Sequence, residues 1–201
     1  YMAWLSPPMF GEGDAEMDLL ADLLANGKTS RLYRTLVYES RVALDVSAYQ
    51  SSRELAGFFL LVATAAPGRS LTDIAATIDV ELQQVTEAGP SESEMARARA
   101  QVEAHFMYRL QTVGGFGGKS DQLNAYNVLR GDPGFFPADL SRYREATSAG
   151  VRAAAGRFLA PSGVEVVERL HAAGLRGKEA IHLRVGRLSR IDHRLSGRAH
   201  R

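Results

Sequence analysis

Five histidines are the first candidates for chemistry in a chain of 201 residues that contains no cysteine. They stand at His105, His171, His182, His193 and His200, and no two of them are four residues apart. The inverted His-x-x-Glu-His arrangement, which sets two metal ligands and a water-activating glutamate on one helix turn, is therefore missing. Catalytic zinc normally takes three protein ligands and keeps a position for water, so peptidase chemistry cannot be assigned to this chain alone. His105 has Glu103 beside it but no second ligand at helical spacing, which makes it a surface or satisfied histidine. A second candidate is the string GGFGGKS at 114–120, which has the composition of a phosphate loop. Its spacing fails, because G-x-x-x-x-G-K-[ST] needs glycine where Val113 stands, and the string follows a helical pattern instead of a strand. Glycines that let two long helices turn and pack closely explain it better.

The elements around these residues follow from periodicity and punctuation. Residues 1–5 read as a strand. Residues 11–26 read as an amphipathic helix, with Asp14 as its cap or first-turn acid and Met17, Leu20, Ala21 and Leu24 on one face, stopped by Gly27. Ser30 is placed to cap a helix carrying Leu32, Tyr33 and Leu36. Residues 43–50 then alternate, and Gly57 opens the apolar run FFLLVATA, giving a β-hairpin. Pro67 and Gly68 break the chain before a helix that Ser70 begins, with the stripe Leu71, Ile74, Ile78, Leu82 and Val85. Ser91 and Glu94 form a capping-box pattern at the head of the next helix, which carries Ala98, Val102, Phe106 and Leu110. Further helices are expected over 119–130, 136–147 and 148–159, and a last strand over 163–170. This order implies an α+β fold in which a mostly antiparallel sheet is covered by helices on one side.

Composition bounds the rest. Hydrophobic residues make up 45% of the chain, enough for a packed core, and no apolar run approaches the roughly 20 residues that span a bilayer. The formal charge of +1 hides an asymmetry: residues 1–167 hold 15 basic and 20 acidic groups, residues 168–201 hold 9 and 3. Dispersed cations of that kind give nonspecific attraction to polyanions, and no specific nucleic-acid partner is read from them. The expected division is one domain at 1–167 followed by a basic Arg/His-rich tail at 168–201 that is peripheral or disordered. The non-initiator Tyr1 is read as the mark of a fragment, or of an engineered or misassigned start, cut inside or just before the first strand.

The helix-and-hairpin strings SRLYRTLVYESR and VSAYQSSRELAGFF resemble the C-terminal-type, metal-free domain of the insulinase/pitrilysin family of zinc peptidases, whose fold is shared with mitochondrial processing peptidase. In that family the active site is divided between homologous domains, one of them bearing the zinc motif. The resemblance implies no cofactor in this chain, zinc in a partner domain or subunit, and a role in closing a chamber and positioning an extended peptide. It implies peptide contacts from Arg41 and Tyr49, on or beside the hairpin, and from Phe116 and Lys119 in the glycine loop. One departure weighs against this role. Many members read Leu-Arg-x-x-x-x-Leu-x-Tyr at the helix-to-strand junction, and here Val37 and Leu44 occupy the Arg and Tyr positions. A structural or protein-interaction module without a proteolytic role is the alternative.

Overall fold

The computed structural model describes residues 1–160 and the backbone of two further strands at 165–169 and 181–185. The order is β1 (Met2–Ser6), α1 (Asp14–Ala25), a π-helical segment (Tyr33–Glu39), β2 (Ala43–Ser51), β3 (Gly57–Ala65), α2 (Leu71–Ala88), α3 (Glu92–Arg109), α4 (Lys119–Arg130), α5 (Phe136–Glu145), α6 (Ser148–Phe158), β4 (Glu165–Arg169) and β5 (Ile181–Val185). The strands form one sheet in the order β2-β3-β1-β4-β5, and every neighbouring pair is antiparallel. The α+β class and the antiparallel sheet read from the sequence are the ones observed. β4 lies inside the window expected for a last strand, across residue 167, but another strand follows it. Ile181–Val185, within the stretch expected to be a tail, pairs with β4 at the outer edge. The remainder of 168–201 lies outside the described residues.

Period-two alternation decides which side of the sheet the helices cover. Met2 and Trp4 of β1, Val46 of β2, and Phe59 and Leu61 of β3 are buried, and Trp4 meets Phe59 edge-on at 6.1 Å. Beneath them α1 presents Met17, Leu20 and Leu24, all fully buried, and α1 packs on β2, α3 and α6. The alternate positions face the other way. Leu5 pairs with Phe58, and Leu60 pairs with Tyr49 and Ala3, on a face that carries no helix among the described residues. Gly57 is required where β3 begins, since a Cβ there would stand 2.6 Å from Ser6 Oγ and 2.8 Å from Ser52 Cα.

One helix start differs from expectation. Ser30 does not cap a helix: its hydroxyl donates to the Gly27 carbonyl at 2.7 Å, and the helix that follows widens into a π-helix closed by Ser40 N donating to Thr35 O at 3.0 Å. The wide turn still seats Leu32 and Leu36 fully in the core while Thr35 donates to Glu81 Oε1 at 2.9 Å. Of the two roles expected of Asp14 the structure shows the first-turn acid: it is the first residue of α1, and its carboxylate turns back and accepts from Phe10 N instead of capping. The Ser91–Glu94 capping box is present in full, and Ser70 Oγ accepts from Thr72 N as a helix cap.

Candidate functional site

Three aspartates of α1, Asp14, Asp18 and Asp22, recur every four residues and so share one face of the helix. That face borders a cleft of about 1050 Å³ lined also by the end of β2 from Ala48 to Ser51 and the following Ser52, α3 from Gln101 to Arg109, α4 around Gln122 and Tyr126, and α5 at Asp139 and Tyr143. Asp14 is the most constrained. Its Oδ2 accepts from Phe10 N and from Arg142 Nη2, each at 2.8 Å, and its Oδ1 accepts from Gln50 Nε2 at 2.7 Å. Arg142 reaches the other way to Asp139 Oδ1 at 2.8 Å, Asp139 Oδ2 accepts from Tyr126 OH at 2.8 Å, and Tyr126 OH accepts from Gln122 Nε2 at 2.8 Å. One polar chain thus ties α4 and α5 to α1 and the β2 edge.

The rest of the ladder is less well compensated. Asp18 accepts from Tyr143 OH at 2.7 Å, yet burial outweighs that bond, and the Asp14 charge adds to it, lifting the carboxyl to a pKa of about 7. Burial also raises Asp22, opposed by the Asn26 amide donating to it at 2.7 Å and by the nearby His105 and Arg97. The same desolvation raises Asp139, and it holds the Tyr126 and Tyr143 hydroxyls protonated well beyond their ordinary range. Phe10, Phe106, Tyr126 and Tyr143 give the cleft aromatic walls, with Phe10 tilted on Tyr126 at 5.8 Å and Phe106 edge-on to Tyr143 at 5.3 Å.

Of the four residues proposed as peptide contacts, Tyr49 alone lines this cleft, at its β2 rim, and its ring stands edge-on to Phe58 at 6.1 Å on the uncovered sheet face. Arg41 is exposed between the π-helix and β2, with a φ of 52°. Phe116 projects fully into solvent from the loop between α3 and α4, and Lys119 is the exposed first residue of α4. The structure does not bring these four into one cluster. Among the described residues no group of three or more His, Asp or Glu side chains is arranged to hold a metal. His105 is exposed on α3 at the cleft rim. No described helix is long and apolar enough to cross a membrane.

Comparison with known proteins decides the family. Residues 1–102 match the model of the peptidase M16 inactive domain. The chain belongs to that family. An inactive domain of a peptidase family is the kind of domain that the helix-and-hairpin strings resemble. Comparison with curated proteins finds no match. Among solved structures, the inactive peptidase domain of a protein described as a zinc protease from Bordetella parapertussis is 21% identical, with a TM-score of 0.68 over 94% of this chain and 93% of that one. A protein described as a zinc protease from Bordetella pertussis is 25% identical, with a TM-score of 0.67 over 81% and 89%. A protease from Helicobacter pylori has a TM-score of 0.71 at 18% identity, and there this chain covers only 38% of the longer molecule. The fold is thus that of an M16 inactive domain, found both as a separate structure and within a longer chain.

Proposed function

We propose that this domain is the non-catalytic half of an insulinase-like metallopeptidase, closing a chamber and positioning an extended peptide for a zinc-bearing homologous domain or subunit. The observation that carries this reading is a sheet face and a sheet edge that nothing covers among the described residues. Leu5, Phe58 and Tyr49 are 78, 39 and 46% exposed on that face, and β2 is the terminal strand on its side of the sheet. An extended peptide can pair its main chain with such an edge while alternate side chains meet the apolar face. Under this reading Tyr49 contacts peptide directly, and Arg41, Phe116 and Lys119 are the outlying contacts.

The alternative is a structural or interaction module without proteolytic role. Val37 is packed partly against the core where the family carries a substrate-binding arginine, and Leu44 is 60% exposed where it carries tyrosine. One assay separates the two. Cleavage of a quenched peptide library is measured for the chain alone with zinc, for a zinc-bearing M16 domain alone, and for the two together. The peptidase reading expects chelator-sensitive turnover only in the mixture, reduced at least fivefold by Tyr49→Ala. A stable complex with no gain in turnover establishes the interaction module, and zinc-dependent turnover by this chain alone refutes both.

A further inference from the structure

The cleft on the helical side of the sheet meets the other face at the β2 rim, where Tyr49 stands, and its chemistry is one-sided. Its lining includes five aspartates, Asp14, Asp18, Asp22, Asp121 and Asp139, against one arginine, Arg109, and one histidine, His105. Arg109 is already engaged, donating through Nε to the Gly117 carbonyl at 3.2 Å. Arg142 behind the cleft is spent on Asp14 and Asp139, and Arg97, near Asp22, donates through Nη1 to the Thr29 carbonyl and hydroxyl.

A second observation is independent of the carboxylates. Three glutamine side chains of the lining, Gln50 on β2, Gln101 on α3 and Gln122 on α4, each bury a carbonyl Oε1 that has no hydrogen-bond partner. Gln122 is only 6% exposed, and its amide Nε2 is fixed on Tyr126 OH, which dictates which end of the side chain is the oxygen. A buried acceptor left unmade costs about 1 to 3 kcal/mol, and three around one space call for a ligand that donates. Aromatic walls favour the same kind of guest, because ring faces attract cations.

We propose that the cleft bordered by α1, α3, α4, α5 and the β2 edge binds a donor-rich organic cation, the ammonium or guanidinium group of a basic side chain or of a free polyamine. Asp22 and Asp18 supply the counter-charge, the three glutamine oxygens accept its N–H groups, and Phe10 and Phe106 flank its alkyl stem. A bound cation also offsets the desolvation that raises the two carboxyls. Asp14 and Asp139, saturated by Arg142, serve as the fixed wall.

Titration calorimetry on the 201-residue chain at low salt tests this, with spermidine, a blocked tri-arginine peptide and the neutral tri-citrulline peptide as probes. At least one cationic probe is expected to saturate with a Kd below about 1 mM, and tri-citrulline to show none. Binding of both cations means that a free amine suffices, whereas binding of tri-arginine alone assigns the site to a polypeptide side chain. Asp22→Asn and Gln101→Leu, on different helices and checked by circular dichroism, should each weaken binding by about tenfold, as expected for losing a charge-assisted hydrogen bond or an acceptor. Asp73→Asn, an exposed acid on α2 outside the cleft, should not. The proposal is overturned if no cation saturates, if tri-citrulline binds as well as tri-arginine, or if either folded variant binds like the unaltered chain. Peptide cleavage with a zinc-bearing domain plays no part in these readouts, so the proposal stands or falls apart from the peptidase reading.

Discussion

Arg142→Met removes the cation that holds two buried carboxylates together, and its cost can be worked from the contacts. Arg142 is 21% exposed at the side chain and bonds Asp14, 2% exposed, and Asp139, 8% exposed, at 2.8 Å each. Breaking a buried pair from one side costs about 3 to 5 kcal/mol, because the stranded charge keeps its desolvation penalty. Here both carboxylates retain other donors, Phe10 N and Gln50 for Asp14 and Tyr126 for Asp139, so the lower figure applies. Methionine keeps most of the aliphatic stem but loses the guanidinium that stands over the Phe10 and Tyr143 rings at 5.3 and 5.7 Å, so the loss is that of the charged group. A destabilisation of about 3 kcal/mol corresponds to a midpoint lower by about 6 to 12 °C for a chain of this size. Urea titration and thermal scans of Arg142→Met, Asp14→Asn and the double variant form the assay. The double variant should be more stable than the sum of the singles by about 1 to 3 kcal/mol, because the second change removes a charge the first has stranded. A single Arg142→Met within about 1 kcal/mol of the unaltered chain, or strict additivity, would refute the account of Arg142 as the tie between α5 and α1.

Asp18→Asn tests the opposite situation, a carboxyl raised from 3.8 to about 7. The folded chain holds a proton there that the unfolded chain releases, so this group's contribution is full below pH 3.8 and is lost as pH rises through about 7. The variant should match the original chain near pH 3.5 and exceed it at pH 8 by roughly 2 kcal/mol or more, read from urea midpoints; a pH-independent difference would contradict the assignment. Glu94, held down to about 2 chiefly by the Arg31 guanidinium at 2.7 Å, has the reverse sign. Its contribution is present above pH 4.5 and lost as pH falls through about 2, so Glu94→Gln should cost about 1 to 2 kcal/mol at pH 7 and progressively less in acid. Ser91→Ala, which removes the hydroxyl of the capping box, should cost about 1 kcal/mol at neutral pH. For the domain division we propose that residues 1–167 hold the fold and that β5 only extends the sheet at its outer edge, so deleting 172–201, β5 included, should shift the thermal midpoint by less than about 5 °C, and a larger drop would make that strand part of what holds the fold.

What the sequence discloses here is what short-range physics controls. Ser91 and Glu94 announce a helix start because both partners of the box lie within one turn, and Gly27, with a φ of 82°, stops α1 because the conformation needed is local. The hairpin is legible for the same reason: alternation over 43–50 and the run from Gly57 fix which residues share a face before any partner is known. The cleft is not, although Asp14, Asp18 and Asp22 stand at open four-residue spacing. That spacing alone describes a solvated stripe equally well, and the groups that make it a site are distant in the chain: Arg142 lies 128 residues from Asp14, and Tyr143 lies 125 from Asp18. The signal that was available is the ladder's position, bordering the apolar face of α1 instead of opposite it, which predicts burial for a carboxylate row and hence a need for cations or donors. The π-helix escapes for a related reason, since one extra residue in a turn is chosen by whether Leu32 and Leu36 can both reach the core with Thr35 bonded to Glu81 from α2. The long-range contacts that hide from the sequence are therefore the ones that turn α1 from a packing element into one wall of a site.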